Sequence, residues 1–316
     1  MATVTGRIKE ITQMQPRGGF LPVKEFEKIE LPIEEELHEI EQENIIGGLV
    51  GMAVDYLTRY MNGATVDEAF QISLLGAKLG GFEKQARFFA DNITGLDERS
   101  IDSACKLVGY DCIYRVGPKA YKPVVGIIPN DETIDNIRIM VRRSIEFIKQ
   151  YGPITKDGFT FEGGYTSVVS AGDGDFLTKD TLWDFKVVKG NLTKDHTLQI
   201  LMYYLMGKRS KKDEFVDIDK IGIYNPRKNV IYIKKVDEIN KRVIETIEHE
   251  VIGYDNEELN AEFEKKEKEA METIRKVIKK ANKKKKQDNI AKIIGGIFTI
   301  VIIITVIYFA YQWMNV

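Results

Sequence analysis

Apolar residues recur at helical spacing through the first third of the chain. After Pro32 they fall at Leu37, Ile40, Ile45, Leu49, Met52, Ala53, Tyr56 and Tyr60, a period that predicts helix. Thr65-Val-Asp-Glu68 has the form of a capping box, in which each end residue satisfies the other's backbone N–H, so a helix is predicted from Thr65 to about Leu79. Two further helices fit 83–91 and 98–108. The longest amphipathic stretch is 131–150, with Ile134, Ile137, Met140, Val141, Ile145 and Ile148 on one side and Gly152-Pro153 as its stop. The period then shortens. Strand-like runs follow at 159–161 (continuing through 165–170), 175–178 and 182–188, then a helix at 193–206. Runs at 218–224 and 230–234 flank an Asn225-Pro226 turn and read as a closing strand pair. Past Val236 the pattern is again helical and highly charged, and 257–286 reads as a solvated stalk.

The final segment is of another kind. Residues 293–311 read IIGGIFTIVIIITVIYFAY, nineteen positions without a charge, long enough as a helix nearly to cross a hydrocarbon core of about 30 Å. Tyr308, Tyr311 and Trp313 stand where an interfacial aromatic belt lies. Upstream, Arg275, Lys276, Lys279, Lys280, Lys283, Lys284, Lys285, Lys286 and Lys292 outnumber a single acid, Asp288. Basic flanks stay on the cytoplasmic side, so a single-pass anchor in the cell membrane is expected, with the N-terminal domain in the cytoplasm. No apolar run opens the chain, and no secretory signal is expected.

Composition narrows the chemistry. The 316 residues are 43% hydrophobic and 30% charged, an ordinary globular balance. A net charge of -2 gives no global basic field to advertise nucleic-acid binding. Two cysteines, Cys105 and Cys112, exclude a disulfide scaffold, and three histidines make a His-rich zinc enzyme unlikely. GDGD lacks the glycine and glutamate of an EF-hand loop, and Gly207-Lys208-Arg209-Ser210 is no Walker A motif.

Chemistry concentrates in 172–204. With 182–188 as a strand, alternation puts Asp184 and Lys186 on one face and Trp183, Phe185 and Val187 on the other. A turn at Lys179-Asp180 brings Asp175 back beside Asp184. Two carboxylates so placed repel unless a cation sits between them, and a hard ion such as Mg²⁺ or Mn²⁺ suits oxygen ligands. Such an ion acidifies bound water and stabilises charge on a phosphodiester, with Lys186 adding positive charge where the transition state is negative.

These residues resemble a known family. Gly172-x-x-Asp175, then Asp184-x-Lys186, then Gln199-x-x-x-Tyr203 is similar to the motif series of the PD-(D/E)XK nuclease superfamily, RecB-type branch. The resemblance covers roughly a third of the chain and implies an α-β-β-β-α-β core over 131–224. It also implies a catalytic set of Asp175, Asp184, Lys186, Gln199 and Tyr203, and a metal site of Asp175, Asp184 and the main-chain carbonyl of Phe185. One more acid from the preceding helix is implied. Glu146 is the first choice, Glu132 the second, and Glu162 on the first strand the third. His196, near the start of the motif helix, is a substrate contact or a helix-start polar residue. Arg142, Arg143, Lys186, Lys189, Lys194 and the run Lys208, Arg209, Lys211, Lys212 are candidates for a phosphate track.

The expected fold class is α/β (α+β). The expected divisions are a mostly helical region at 1–130, a nuclease-like core at 131–236, a charged helical stalk at 237–289 and a transmembrane anchor at 290–316. The expected activity is metal-dependent hydrolysis of DNA or RNA beside the bilayer. The rival is a catalytically silent nuclease-fold binding or scaffold protein on the same anchor, and a third reading is a lipid-surface protein driven by its basic stalk.

Overall fold

The computed structural model describes residues 2–256 and scattered positions between 260 and 276. The predicted anchor, and the predicted stalk past 276, lie outside the described residues. Among those described, no helix is long and apolar enough to cross a membrane. The chain divides into two units, Met1–Ile252 and Gly253–Val316. In the second, the Asn260 side-chain amide donates to the Gly253 carbonyl at 2.9 Å.

The first unit is mixed α/β. In chain order it runs β1 (Ala2–Thr3), α1 (Val4–Ile11), β2 (Glu27–Glu30), α2 (Gly47–Met61), α3 (Val66–Ala69), α4 (Gln71–Gly80), α5 (Glu83–Asp91), α6 (Glu98–Val108), α7 (Asp111–Arg115) and α8 (Asp131–Tyr151). It continues with β3 (Lys156–Thr160), β4 (Val169–Ala171), β5 (Asp173–Leu177), β6 (Thr181–Phe185), α9 (Lys194–Ser210), β7 (Lys220–Asn225), β8 (Val230–Lys235) and α10 (Lys241–Thr246). A six-stranded mixed sheet has the order β2-β8-β7-β6-β5-β3, in which only the β6–β7 pair is parallel.

The long helix caps itself with Asn130, whose side-chain oxygen accepts from the Thr133 N–H, and it buries Ile137, Met140, Val141 and Phe147. Phe147 is the hub of the face it covers. Its ring stacks on Tyr224 at 4.1 Å and meets Trp183 edge-on at 4.9 Å, the latter within the range where aromatic pairs gain beyond area burial. Phe185 packs against this cluster and also against the larger core of the N-terminal helices, so the two cores are continuous.

Three expectations about the elements change. The stretch after Pro32 is not helical until Gly47, apart from a single 3₁₀ turn at Ile40–Gln42. Glu35, Glu39 and Glu43 would repel at four-residue spacing on a helix. The backbone bonds to α8 instead: the His38 N–H donates to Asn136 Oδ1 at 2.8 Å, and Arg143 donates to the Glu35 carbonyl at 2.6 Å. The helix from Thr65 has its capping box, yet it breaks at Phe70, whose fully buried ring turns inward onto Tyr56. The strand placed at 159–161 ends at Thr160, and Val169–Ala171 pairs in parallel with β1, away from the main sheet.

The N-terminal 130 residues are therefore not only helical. They supply β2 to one sheet edge, β1 as the partner of β4, and α1 to the flank of α9. At the other end, Ile247, Val251 and Ile252 are buried, and Arg7 donates to the carbonyls of Glu250 and Val251 at 3.0 Å each. The chain up to Ile252 belongs to the globule, beyond the stalk boundary expected at 237.

The irregular segment at 33–46 is held by a buried ion pair. Arg227 grips Glu43 through both ends of its guanidinium, at 2.7 and 3.0 Å, with the two side chains only 8% and 3% exposed. Removing one partner strands a buried charge, at a cost of about 3–5 kcal/mol. Glu43→Ala should lower the unfolding free energy by about that amount in urea titration, and Glu43→Ala with Arg227→Met should lose less than the single change.

Candidate functional site

Register sets the site. β5 and β6 pair antiparallel with Phe176 opposite Trp183 and Leu177 opposite Leu182, and the next step of that ladder puts Asp175 opposite Asp184. Side chains directly opposite on one face lie about 5 Å apart at Cβ, and like charges there are destabilising. Trp183 and Phe185 point toward α8 and Tyr224, while Asp184 and Lys186 point the other way.

Each acid is held differently. Asp184 is 2% exposed, and its two oxygens lie 3.1 and 2.9 Å from Lys186 Nζ. Oδ2 nonetheless receives no hydrogen bond of proper geometry. Asp175 is half-buried, and its Oδ2 accepts from the Phe185 main-chain N–H at 2.6 Å. Burial raises the Asp175 carboxyl, and the charges of Asp184 and Asp55 raise it further against Lys186 and Arg59, pushing it up to about 8. Burial works against the Lys186 charge, but Asp184 and Asp175 outweigh it and hold the ammonium above its ordinary value. The pair is thus short of positive charge around an oxygen already stripped of water.

The helix over this face supplies the rest. Gln199 and Tyr203 share one face of α9, and the Gln199 amide donates to Tyr203 Oη at 2.8 Å. Burial and the Asp184 charge drive the Tyr203 hydroxyl far above its usual value, so it remains a donor. Gly172 has a steric role: a Cβ there would come within 2.9 Å of Val4 Cγ2 and 3.5 Å of the Tyr203 ring. His196 caps its own helix, its Nδ1 accepting from the Thr193 N–H at 3.2 Å, and burial and Lys186 lower its pKa.

The helix acid is not where the resemblance put it. Glu146 is 70% exposed and pairs with Lys149 at 2.6 Å, because its neighbour Phe147 takes the inward direction on α8. Glu132 lies in the first turn of that helix, and Glu162 pairs with Lys212 at 2.5 Å. The helix carboxylate whose charge reaches Asp175, after that of Asp184, is Asp55 on α2, in an i,i+4 pair with Arg59 at 3.0 Å. Sequence held only a weak signal for it, an Asp-x-x-x-Arg spacing repeated at Asp111 and Arg115. Among the described residues, no group of three or more His, Cys, Asp or Glu side chains is arranged to hold a metal ion.

The expected phosphate track is also largely spent elsewhere. Lys208 donates to the carbonyls of Phe215 and Val216, Lys194 to that of Thr12, and Arg143 to those of Pro226 and Arg227. Arg142 pairs with Glu35, Lys189 with Glu41 and Lys212 with Glu162.

An aspartate held near 8 when folded and near 3.9 when unfolded carries more protons in the native state between those values. Its contribution to stability therefore falls as pH rises through that window. Asp175→Asn removes the loss. In metal-free buffer the variant should unfold at a higher temperature than the wild type at pH 8, and the difference should vanish toward pH 4.

Comparison with protein-family models, curated proteins and solved structures finds no match for this chain, so what the site does is read from its own geometry.

Proposed function

We propose that this protein is a metal-dependent phosphodiesterase of the PD-(D/E)XK type, RecB-like branch, that hydrolyses nucleic acid beside a membrane. The observation that carries the reading is the triplet itself: Asp175 across from Asp184, Lys186 on both oxygens of Asp184, and a buried Asp184 Oδ2 that lacks a hydrogen bond. The order α8, β3, β5, β6, α9, β7, with β4 paired outside the main sheet, supports the α-β-β-β-α-β order that the resemblance implies.

The donor set fits a divalent cation. Asp175, Asp184 and the main-chain carbonyl of Phe185 would hold Mg²⁺ or Mn²⁺, and water would fill the remaining positions, as Mg²⁺ commonly requires. The bound ion would polarise the phosphodiester and acidify a water. Asp175 gives up its proton to become a ligand, which ties binding to pH. Lys186, kept charged by its two acids, offers positive charge to the phosphate oxygens as the transition state gains charge. Tyr203, kept protonated and oriented by Gln199, donates to an oxygen in the same place.

The uncharged run at 293–311 and its basic flank support a C-terminal anchor, with the site in the cytoplasm. The rival, a silent nuclease-fold scaffold, draws on the Lys186–Asp184 pair, which gives Asp184 a cation without any metal.

Cleavage of single- and double-stranded DNA and RNA by the full chain in detergent, with Mg²⁺ or Mn²⁺, tests the reading. Lys186→Met should cut the rate by about 10²–10³ while substrate affinity changes far less. Strand binding without cleavage of any substrate by the wild type would favour the scaffold. Separately, deleting 291–316 should release a soluble protein of unchanged fold, because the run buries its apolar surface in lipid; aggregation of the truncated chain would count against the anchor.

A further inference from the structure

The catalytic strand is faced by two arginines from the N-terminal helices. Asp173 and Asp175 lie on one face of β5, about 6.7 Å apart along the strand. Arg115 of α7 reaches the first, with Nη1 3.7 Å from Asp173 Oδ2. Arg59 of α2 lies next to Gly158 of β3, the position across the ladder from the second. Its Nε is 3.0 Å from Asp55 and its Nη1 3.5 Å from Asp157 on β3, and its charge is felt at Asp175. Gly158 stands across from Asp175 between the pairs Asp157–Phe176 and Phe159–Gly174. Its φ of +59° is one that other residues rarely adopt, and Arg59 Nη1 lies 3.5 Å from where a Cβ would be. The backbone here leaves the guanidinium room beside the acids.

One buried carboxyl ties together the helices that carry the two arginines. Asp111, 1% exposed, accepts from Tyr56 Oη of α2 at 2.6 Å and from Ser73 Oγ of α4 at 2.5 Å, and it lies 3.6 Å from Arg115 Nε. Tyr56 adjoins Asp55, so the network that holds α7 to α2 also sets the spacing of Arg59 and Arg115.

Charge gives them a task. Five carboxyls surround the site (Asp55, Asp157, Asp173, Asp175 and Asp184) against three cations (Arg59, Arg115 and Lys186), a balance of -2 once Asp175 gives up its proton to hold a metal. A polyanionic strand is repelled by such a site until a divalent ion restores neutrality. Once it does, the guanidiniums can exchange carboxylate for phosphate oxygens, which match their planar fork. Asp173 is 74% exposed and Arg115 45%, so that pair is open to solvent and easily exchanged. Arg142, Lys189, Lys194, Lys208 and Lys212, which might have formed another track, are bound to carbonyls or to other acids.

Resting on the nuclease reading above, we propose that Arg59 and Arg115 bind successive phosphates of one nucleic-acid strand, which lies along β5 with its scissile phosphate at Asp175 and Asp184. The spacing of Asp173 and Asp175 is close to the step between neighbouring phosphates along any one strand; Asp184, 2% exposed beneath α9, is reached more readily by a single strand or a frayed end than by an intact duplex.

The test uses the full chain in detergent with a fluorescent single-stranded oligonucleotide, a duplex of the same sequence, and Mn²⁺. Arg59→Gln and Arg115→Gln should each raise KM by about tenfold with little change in kcat. Each should also lower the slope of log affinity against log salt by about 0.7. Arg59→Lys and Arg115→Lys, which keep the charge, should retain the slope while losing affinity, and Arg87→Gln, on an outlying helix, should change nothing. The single strand should bind more tightly than the duplex. An unchanged KM and slope in both glutamine variants, with the wild type still cleaving, would overturn the strand path and leave the nuclease reading standing. A fall in kcat with loss of the Mn²⁺ thermal shift would place the arginines in the metal site and overturn it equally. A wild type that neither binds nor cleaves would overturn both readings.

Discussion

Strand β6 satisfies two demands that only a period of two can reconcile. Trp183 and Phe185 must enter the aromatic cluster around Phe147, while Asp184 and Lys186 must face α9. A slip of one residue would drive a carboxylate into that cluster and swing an indole into the site. Register is accordingly fixed from several sides. Trp183 Nε1 donates to Thr178 Oγ1 at 3.0 Å across the turn, the Asp180 carbonyl accepts from the N–H groups of Asp219 and Lys220, and β7 pairs residue by residue from Thr181 to Phe185. The site follows from the packing of its reverse face.

The N-terminal helices supply order of a different sort. Asp111 is a buried acid whose pKa burial raises, yet Ser73 and Tyr56 donate to it and Arg115 stands close by. A buried polar group so satisfied specifies one arrangement of α2, α4 and α7, whereas purely apolar helix packing tolerates sliding. Glu43 and Arg227 act in the same way on the irregular segment, joining a stretch with no regular structure to the turn between β7 and β8. The two networks use buried titratable groups where geometry has to be unique, and leave bulk stability to apolar burial.

How much was legible in the sequence depended on the distance over which each feature is determined. Asp184 and Lys186 were legible because alternation along one strand is local, and Gln199 with Tyr203 because i and i+4 share a helix face. Glu146 misled, since an amphipathic helix of this length offers polar residues next to buried ones, and one step of about 100° separates exposed Glu146 from inward Phe147. The run after Pro32 has helical spacing, but its backbone is claimed by Asn136 and Arg143 about a hundred residues later. Asp55 and Arg59 meet β5 only through the tertiary fold, so no local period points to them. The strands past α8 were legible to within two or three residues of their ends, except where Gly163 and Gly164 turn the chain away after β3; β1 and β2, which form by pairing with distant strands, were not predicted.

These placements bear on how the chain is divided. A boundary at 130/131 would put the acids and Lys186 on one side and Asp55, Arg59, Arg115 and their Asp111 anchor on the other. The compact unit runs without such a break to Ile252, and the reason is electrostatic as well as apolar. Opposed carboxylates on β5 and β6 raise the free energy of the metal-free sheet, and Lys186 alone leaves them short of positive charge. Arg59 and Arg115 make good part of that deficit from outside the sheet, held at fixed spacing by a network the sheet does not contain. A strand sheet with these acids but without the helical layer would be both less stable and more repellent to a polyanion, so the site belongs to neither layer separately.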